Sequence, residues 1–430
     1  MKNVLFIVCD ALRPDHLGCY GYNKNTSPFI DKLAKEGCLF KNTISNCNHT
    51  LPGIVSLFTG LYQTTHEVNN RKSYEEWKKG KLWKGWRTPF NILKEKGYLV
   101  AGFNPSVFGP LGYEIEIEDL PKSIKEFKDR PFFIWWWIDL THLPYNPDPP
   151  YDRMFLPEGY KIENSTEKKL EIVKNKMIIH RPGLISCEEM GIKGPIEKLG
   201  YERTFAEAVF DEKDIPAIVA LYDGEIRLLD IEIEKYIKTL ESLCILDETI
   251  IVITADHGEA LLERGILGHS SCSLEGNLYD ENIKIPLIIR YPPLIPKGKI
   301  INEQVSQVDI MPTIFDILEI KKPERVDGVS LLPLIKEEKK KYRQECFAMT
   351  QPAGWQALET DERMIYCIRT PEWKLIYNYD PKNKKNTYYE LYNLKKDPNE
   401  KENLINKNLK IKEKLKRKLR NWIKNDMFNR

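Results

Sequence analysis

The sequence predicts an α/β protein with a mostly parallel central sheet, followed by a small carboxyl-terminal α+β unit. Three observations carry this. Apolar runs rich in β-branched and aromatic residues recur at residues 4–9, 98–103, 132–138, 249–255 and 285–290. They have the length of buried strands, and helical patterns lie between them. After the charge run at residues 336–341 the pattern changes to short, closely spaced strand-like runs.

In chain order, the run at residues 4–9 opens the sheet and ends on Asp10. A helix follows, with Thr26-Ser27 as caps, Pro28 in its first turn, Phe29, Ile30, Leu33 and Ala34 as its apolar face, and Gly37 as its stop. Thr50-Leu51-Pro52-Gly53 precedes a further apolar helical stretch, residues 54–58. In the strand at 132–138, Trp135-Trp136-Trp137 must alternate between faces, and core packing is the expectation for the rings. Residues 146–214 are rich in charge and proline with weak periodicity, and read as an insertion near the active face, a substrate lid. A long helix is expected over residues 215–243, with Ile226, Leu229, Ile233, Ile237 and Leu240 inward. The large domain then spans residues 1–335. The unit at 336–430 carries strands at 345–349, 363–369, 373–377 and 388–392 and a lysine-rich helix from about 404 to 428. The basic face of that helix, residues 410–420, reads as solvated.

Composition narrows the class. Lys+Arg 65 against Asp+Glu 63 leaves a net charge of +2, so no global basic field recruits nucleic acid. The longest apolar run, residues 132–138, is far short of the roughly 20 residues that span a bilayer. The amino terminus makes a poor signal peptide. Nine cysteines are scattered without a CxxC pair, which reads as reduced thiols in a cytoplasmic protein.

The chemistry-bearing residues cluster at strand ends. Ligands of open α/β sheets collect outside the carboxyl ends of strands. Asp10 ends one strand and Asp256-His257 ends another. Two carboxylates and an imidazole form a three-ligand set for a divalent cation; the other reading is that the acids cap the following helices. Thr50 lies at a helix amino terminus, where N–H groups face an anion. It is either a metal-activated nucleophile or only the N-cap. His142, in a Pro-bounded loop after the strand at 132–138, either donates a proton to a leaving group or makes one structural hydrogen bond. His269, thirteen residues after Asp256, could reach the same place.

These segments, in this order, resemble the sulfatase family of the alkaline phosphatase superfamily. The stretch from Asn3 to Gly21, with Asp10, resembles the family's opening strand and metal aspartate. Residues 27–37 resemble its first helix. Thr50-Leu51-Pro52 with residues 56–62 resembles its nucleophile turn. Thr254-Ala255-Asp256-His257-Gly258-Glu259 resembles its second metal motif, and residues 278–290, 308–313 and 390–398 follow in register. The resemblance implies a three-layer sandwich in which Asp10, Asp256 and His257 bind one divalent ion (Ca, Mg, Mn or Zn) beside Thr50. It implies that His142 faces the leaving group and that His269 stands near the anion.

The departures bear on mechanism. The family pattern Cys/Ser-x-Pro-x-Arg, whose first residue is oxidised to formylglycine, reads here as Thr50 and Ile54. Threonine cannot become that aldehyde, because its Cβ carries a methyl group. Cys47 lies three residues too early to substitute. Ala11 stands where relatives often carry a second acid or amide, and Asn104-Pro105-Ser106 replaces a lysine motif. Asp223 is followed at four residues by Arg227 rather than His, so a single metal is expected. The resulting expectation is a metal-dependent hydrolase of sulfate or phosphate esters acting through a covalent Thr50 ester. Its substrate is a small-molecule, glycan or lipid-headgroup anionic ester. A phosphodiesterase or phosphoryl transferase, or a binding protein on a decayed hydrolase scaffold, are the alternatives.

Overall fold

The computed structural model describes residues 2–80, 87–181, 205–338, 342, 344–357 and 360–427. Its centre is a nine-stranded sheet. The strands are β1 (Asn3–Cys9), β2 (Cys38–Ile44), β3 (Leu99–Gly102), β4 (Ile115–Glu116), β5 (Phe132–Ile138), β6 (Thr249–Ala255), β7 (Lys284–Ile285), β8 (Leu287–Arg290) and β9 (Lys299–Ser306). Their order is β7-β2-β8-β6-β1-β5-β3-β4, with β9 beside β2. β1 pairs in parallel with β5 and β6, and β3 with β5 and β4. β8 is antiparallel to both β6 and β2. Pro286, which has no N–H to donate, separates β7 from β8.

β1 is buried along its whole length, which a strand covered on both faces requires. Leu5, Ile7 and Cys9 enter the core on one side of the sheet. Val4, Phe6 and Val8 enter the core on the other. The first core is closed by α1 (Pro28–Glu36) and α3 (Ile215–Ser242), the second by α2 (Thr50–Thr59) and α4 (Ile310–Ile317). The result is the expected three-layer sandwich.

Three strands, β2, β4 and β9, were not expected from the sequence: β2 and β9 mix buried with partly or fully exposed positions, and β4 is two exposed residues. The cap of α1 also differs from expectation. Ser27 makes no capping bond. The N–H groups of Phe29 and Ile30 donate instead to the Asp230 carboxylate of α3, at 3.1 and 2.8 Å. The five apolar positions expected on the inner face of α3 are all fully buried. Of the three tryptophans on β5, Trp135 is core, and Trp136 Nε1 donates to the Tyr236 hydroxyl at 3.2 Å. Trp137, half-buried, packs against the second core as expected and also lines the main cavity.

Within residues 146–214, positions 182–204 lie outside the described residues. Nearby, strand Ile178–His180 pairs in parallel with Phe205–Glu207, and Asn146, Asp148 and Met177 border the cavity. Beyond residue 345 come four antiparallel strands, β10 (Cys346–Thr350), β11 (Met364–Arg369), β12 (Trp373–Tyr379) and β13 (Tyr388–Asn393). Helix α5 (Leu409–Met427) covers one face with Leu415 and Leu419. It starts later than expected, because residue 404 still bonds backbone to backbone with Leu391. The other face packs on Ile44, Leu278 and Ile283. Lys374, fully buried, pairs there with Asp280 at 2.6 Å and Glu400 at 2.8 Å. No described helix is long and apolar enough to cross a membrane.

Candidate active site

The carboxyl ends of adjacent strands β1 and β6 deliver Asp10 and Asp256-His257 to one point. His257 Nε2 lies 3.4 Å from Asp10 Oδ1 and 3.6 Å from Asp256 Oδ2, and all three residues are buried. Asp256 Oδ1 accepts the N–H groups of His257 and Ala11, at 2.9 and 3.2 Å. Neither acid caps a helix. Ala11 has φ 58°, the left-handed region that an alanine occupies only under strain. The backbone carbonyl of Asp256 is held by Ser45 Oγ at 2.6 Å and by Gln307 Nε2 at 2.8 Å.

Asp10 Oδ2 and Asp256 Oδ2 are buried and meet no hydrogen-bond donor. Burial, then the charge of Asp256, holds the Asp10 carboxyl well above the usual carboxylate range. Two orphaned carboxylate oxygens are costly in a low-dielectric interior unless a cation joins them. His257 Nδ1 donates to the Gly258 carbonyl at 2.7 Å, which leaves the Nε2 lone pair facing the acids. Burial drives this imidazole down to about 3, so it stays neutral, as a ligand must. The three ligand atoms lie within 4.8 Å of one another and fit one divalent ion.

Thr50 is the first residue of α2, and the N-cap is His49. The Thr50 hydroxyl caps nothing. Oγ1 lies 3.5 Å from Asp10 Oδ1 and 3.4 Å from His257 Nε2. The helix comes this close because residue 53 is glycine: a Cβ there would stand 3.0 Å from the Asp256 carbonyl oxygen. Ile54, at the family's arginine position, is fully buried in the core, so the pocket receives no guanidinium from there.

His142 and His269 stand on the same cavity. Their rings meet edge to face at 4.9 Å, and His269 lies 4.3 Å from the His257 ring. His269 Nδ1 donates to Glu259 Oε2 at 2.6 Å, and Tyr145 donates to Glu259 Oε1 at 2.6 Å. Burial pushes Glu259 up to about 7 and drives His269 well below its ordinary value. On His142, burial pulls the imidazole down but is outweighed by the Cys272 sulfur and the Glu259 charge, and the ring rises to about 10. The cavity, about 610 Å³, also has an aromatic wall of Phe103, Trp137 and Trp355.

All six residues expected at the site therefore surround one region. Sequence reasoning missed Cys272, Glu259 and Tyr145. Glu259 closes the quoted Asp256-His257-Gly258-Glu259 motif, and the spacing His269-x-x-Cys272 was a usable signal for two side chains on one helical turn. Asp223, the acid considered for a second ion, is taken up by His16, Tyr22 and Lys24 at 2.7, 2.7 and 2.8 Å.

Sheet order, strand-end acids and helix terminus together define an α/β protein with a candidate cation and anion site at the carboxyl edge of its sheet. Comparison with known proteins gives the family. The sulfatase model matches residues 2–111 and 103–320, and the model for the carboxyl-terminal part of N-sulphoglucosamine sulphohydrolase matches residues 276–425. The chain belongs to the sulfatase family, and it is a hydrolase of sulfate or phosphate esters. Among its relatives, a Delta 4,5-hexuronate-2-O-sulfatase of Bacteroides thetaiotaomicron is 24% identical over 94% of this chain and 84% of its own. Arylsulfatase K of Bos taurus is 25% identical over 98% of this chain and 81% of its own. The fold is also that of the phosphonate monoester hydrolase of Agrobacterium radiobacter. That likeness has a TM-score of 0.72 at 19% identity and covers 99% of this chain and 96% of that one. A protein solved with its substrate D-glucosamine-2-N,6-O-disulfate gives 0.75 at 20% identity, over 100% and 98%.

Proposed function

We propose that the protein is a metal-dependent hydrolase that cleaves a sulfate or phosphate ester through a covalent ester on Thr50. The observation that carries this is Thr50 Oγ1 at a helix amino terminus, 3.4–3.5 Å from both an acid and an imidazole of the metal-ligand set. Asp10, Asp256 and His257 would hold one divalent cation. When bound, that cation supplies Lewis-acid polarisation and lowers the pKa of a coordinated hydroxyl or water.

The chain's own groups do the rest. The N–H groups opening α2 face the anionic oxygens. Thr50 attacks the central phosphorus or sulfur in line and releases its hydroxyl proton to solvent water, while His142 enters the step already protonated. The ester oxygen departs toward His142, whose imidazolium donates a proton to it. Water then breaks the Thr50 ester at phosphorus or sulfur, regenerating the threonine. The aromatic wall of Phe103, Trp137 and Trp355 suits a sugar ring, and the curated relatives named for hexuronate and glucosamine sulfates point the same way. Residues 1–335 act as the catalytic domain and residues 336–430 as its companion, and the described part of the segment after β5, with Asn146, Asp148 and Met177 on the cavity, borders the substrate. The scattered cysteines, none of them disulfide-bonded among the described residues, fit a cytoplasmic location.

The test is a parallel assay on aryl sulfate, sugar sulfate, phosphate monoester and phosphodiester, each with calcium, magnesium, manganese or zinc. Turnover on one class, abolished by chelation and restored by a metal, is expected. Turnover that chelation leaves unchanged refutes the metal, and the absence of turnover on every class favours a decayed binding scaffold.

A further inference from the structure

A second cluster of donor atoms lies outside the Asp10, Asp256 and His257 set. His142, His269 and Cys272 each offer one ligand atom, and these atoms all lie within 4.8 Å of one another. Cys272 Sγ is 3.5 Å from His142 Nε2 and 3.6 Å from His269 Nε2. A tetrahedral zinc ion with Zn–S about 2.3 Å and Zn–N about 2.0–2.1 Å requires sulfur-to-nitrogen separations of about 3.5–3.6 Å. The cluster already has them.

The orientation of both rings points to the same chemistry. His142 Nδ1 donates to the Leu143 carbonyl at 2.5 Å, and His269 Nδ1 donates to the Glu259 carboxylate. Each ring thereby turns Nε2 toward the sulfur; His269 presents its lone pair there, and His142 gives up its Nε2 proton when a metal binds. The Glu259–His269 contact is the carboxylate–histidine arrangement that orients and strengthens imidazole ligands, and Tyr145 orients Glu259 in turn. His269 and Cys272 come from one short helical turn, Ser270–Ser273 and its N-cap, and His142 from the loop after β5. All three border the cavity, which leaves a fourth position open to it.

We infer that His142, His269 and Cys272 form a second metal site, for zinc or a similarly thiophilic divalent ion, with its open position facing the substrate cavity. Sulfur and imidazole donors select such an ion, whereas the oxygen-rich Asp10 site accepts calcium, magnesium or manganese as readily. In the chain loaded at this site, His142 is a ligand and gives no proton, and the positive charge facing the departing oxygen is the ion's. The inference is tested by metal binding alone; it leaves the Thr50 attack in place and replaces only the His142 proton by the charge of the ion.

Cobalt(II) titration of the full chain tests it, with metal-to-protein stoichiometry read alongside. A thiolate-to-cobalt charge-transfer band in the near ultraviolet is expected, together with tetrahedral d–d bands. Both should vanish in Cys272→Ser and persist in Asp10→Asn. The Cys272→Ser protein should still bind the single ion of the Asp10 site, which separates loss of a ligand from loss of the fold. His142→Gln should weaken cobalt binding at the sulfur site by at least tenfold. A wild-type chain with no thiolate band, or a band unchanged in Cys272→Ser, overturns the inference.

Discussion

Replacing Thr50 by alanine removes the one hydroxyl placed 3.4–3.5 Å from both Asp10 Oδ1 and His257 Nε2. The change is local. Thr50 is half-buried, makes no capping bond and lies at the first position of α2, so stability should fall by about 1 kcal/mol or less. The ligand atoms of Asp10, Asp256 and His257 belong to other elements and keep their places. Catalysis should suffer far more. Removing a nucleophile that works as a unit with its activating groups costs on the order of 10⁴ to 10⁶ in turnover, or about 5–8 kcal/mol at roughly 1.36 kcal/mol per decade. The assay is turnover on the best ester of the class screen, with metal content and melting temperature measured on the same preparations. Thr50→Ser, which keeps the oxygen, should recover most of the activity. Intact mass under single-turnover conditions should show a phosphoryl or sulfuryl adduct in the wild type and none in Thr50→Ala. If Thr50→Ala turns over within tenfold of the wild type, water is the attacking group and the covalent route is wrong.

Asp256→Asn should abolish both the ion of the Asp10 site and turnover, because it removes one of the three ligand groups and one of the two orphaned carboxylate oxygens there; elemental analysis after dialysis reads this directly. Gly53→Ala should lower turnover more than stability, since its Cβ at 3.0 Å from the Asp256 carbonyl pushes α2 and Thr50 outward; a change confined to melting temperature would contradict the close-approach argument. His66, buried under α2 with Nε2 2.9 Å from Ser56 Oγ, is held down to about 3 by burial. Its folded pKa is depressed, so its contribution to stability is present above pH 6.5 and is lost as pH falls toward 3. Between pH 6.5 and 5 this group should remove roughly 2 kcal/mol, and His66→Asn should flatten that part of the stability profile in urea titrations. Equal slopes in the two proteins would dismiss it. Trp135→Ala should destabilise by about 3–5 kcal/mol as a core truncation, whereas Trp137→Ala, on the cavity wall, should act mainly on KM.

Hydrophobic pattern and motif chemistry are local properties, and what depends on them could be read along the chain. The continuous apolar run of β1, the apolar stripe of α3 and the acids ending two buried runs all belong to single segments. So does the carboxyl-terminal run of short strands. Asp10, Thr50, Asp256 and His257 could be gathered because ligands collect at strand ends, whatever the order of the strands. The order itself depends on which edges meet, and no segment encodes that alone. β2 and β9 do not stand out as apolar runs because each carries polar residues at partly exposed positions while the two pair in parallel. Asp230 caps a helix two hundred residues away, where the sequence had offered Ser27. Trp137 borders a cavity as well as the core because that cavity opens where β5 ends. The Cys272 sulfur becomes a partner of His142 and His269 only when a loop from residue 142 and a turn at residue 270 converge. Local periodicity therefore decided which residues are buried and which are reactive. Long-range packing decided which reactive residues share a site, because contact between distant segments is settled by the whole core at once.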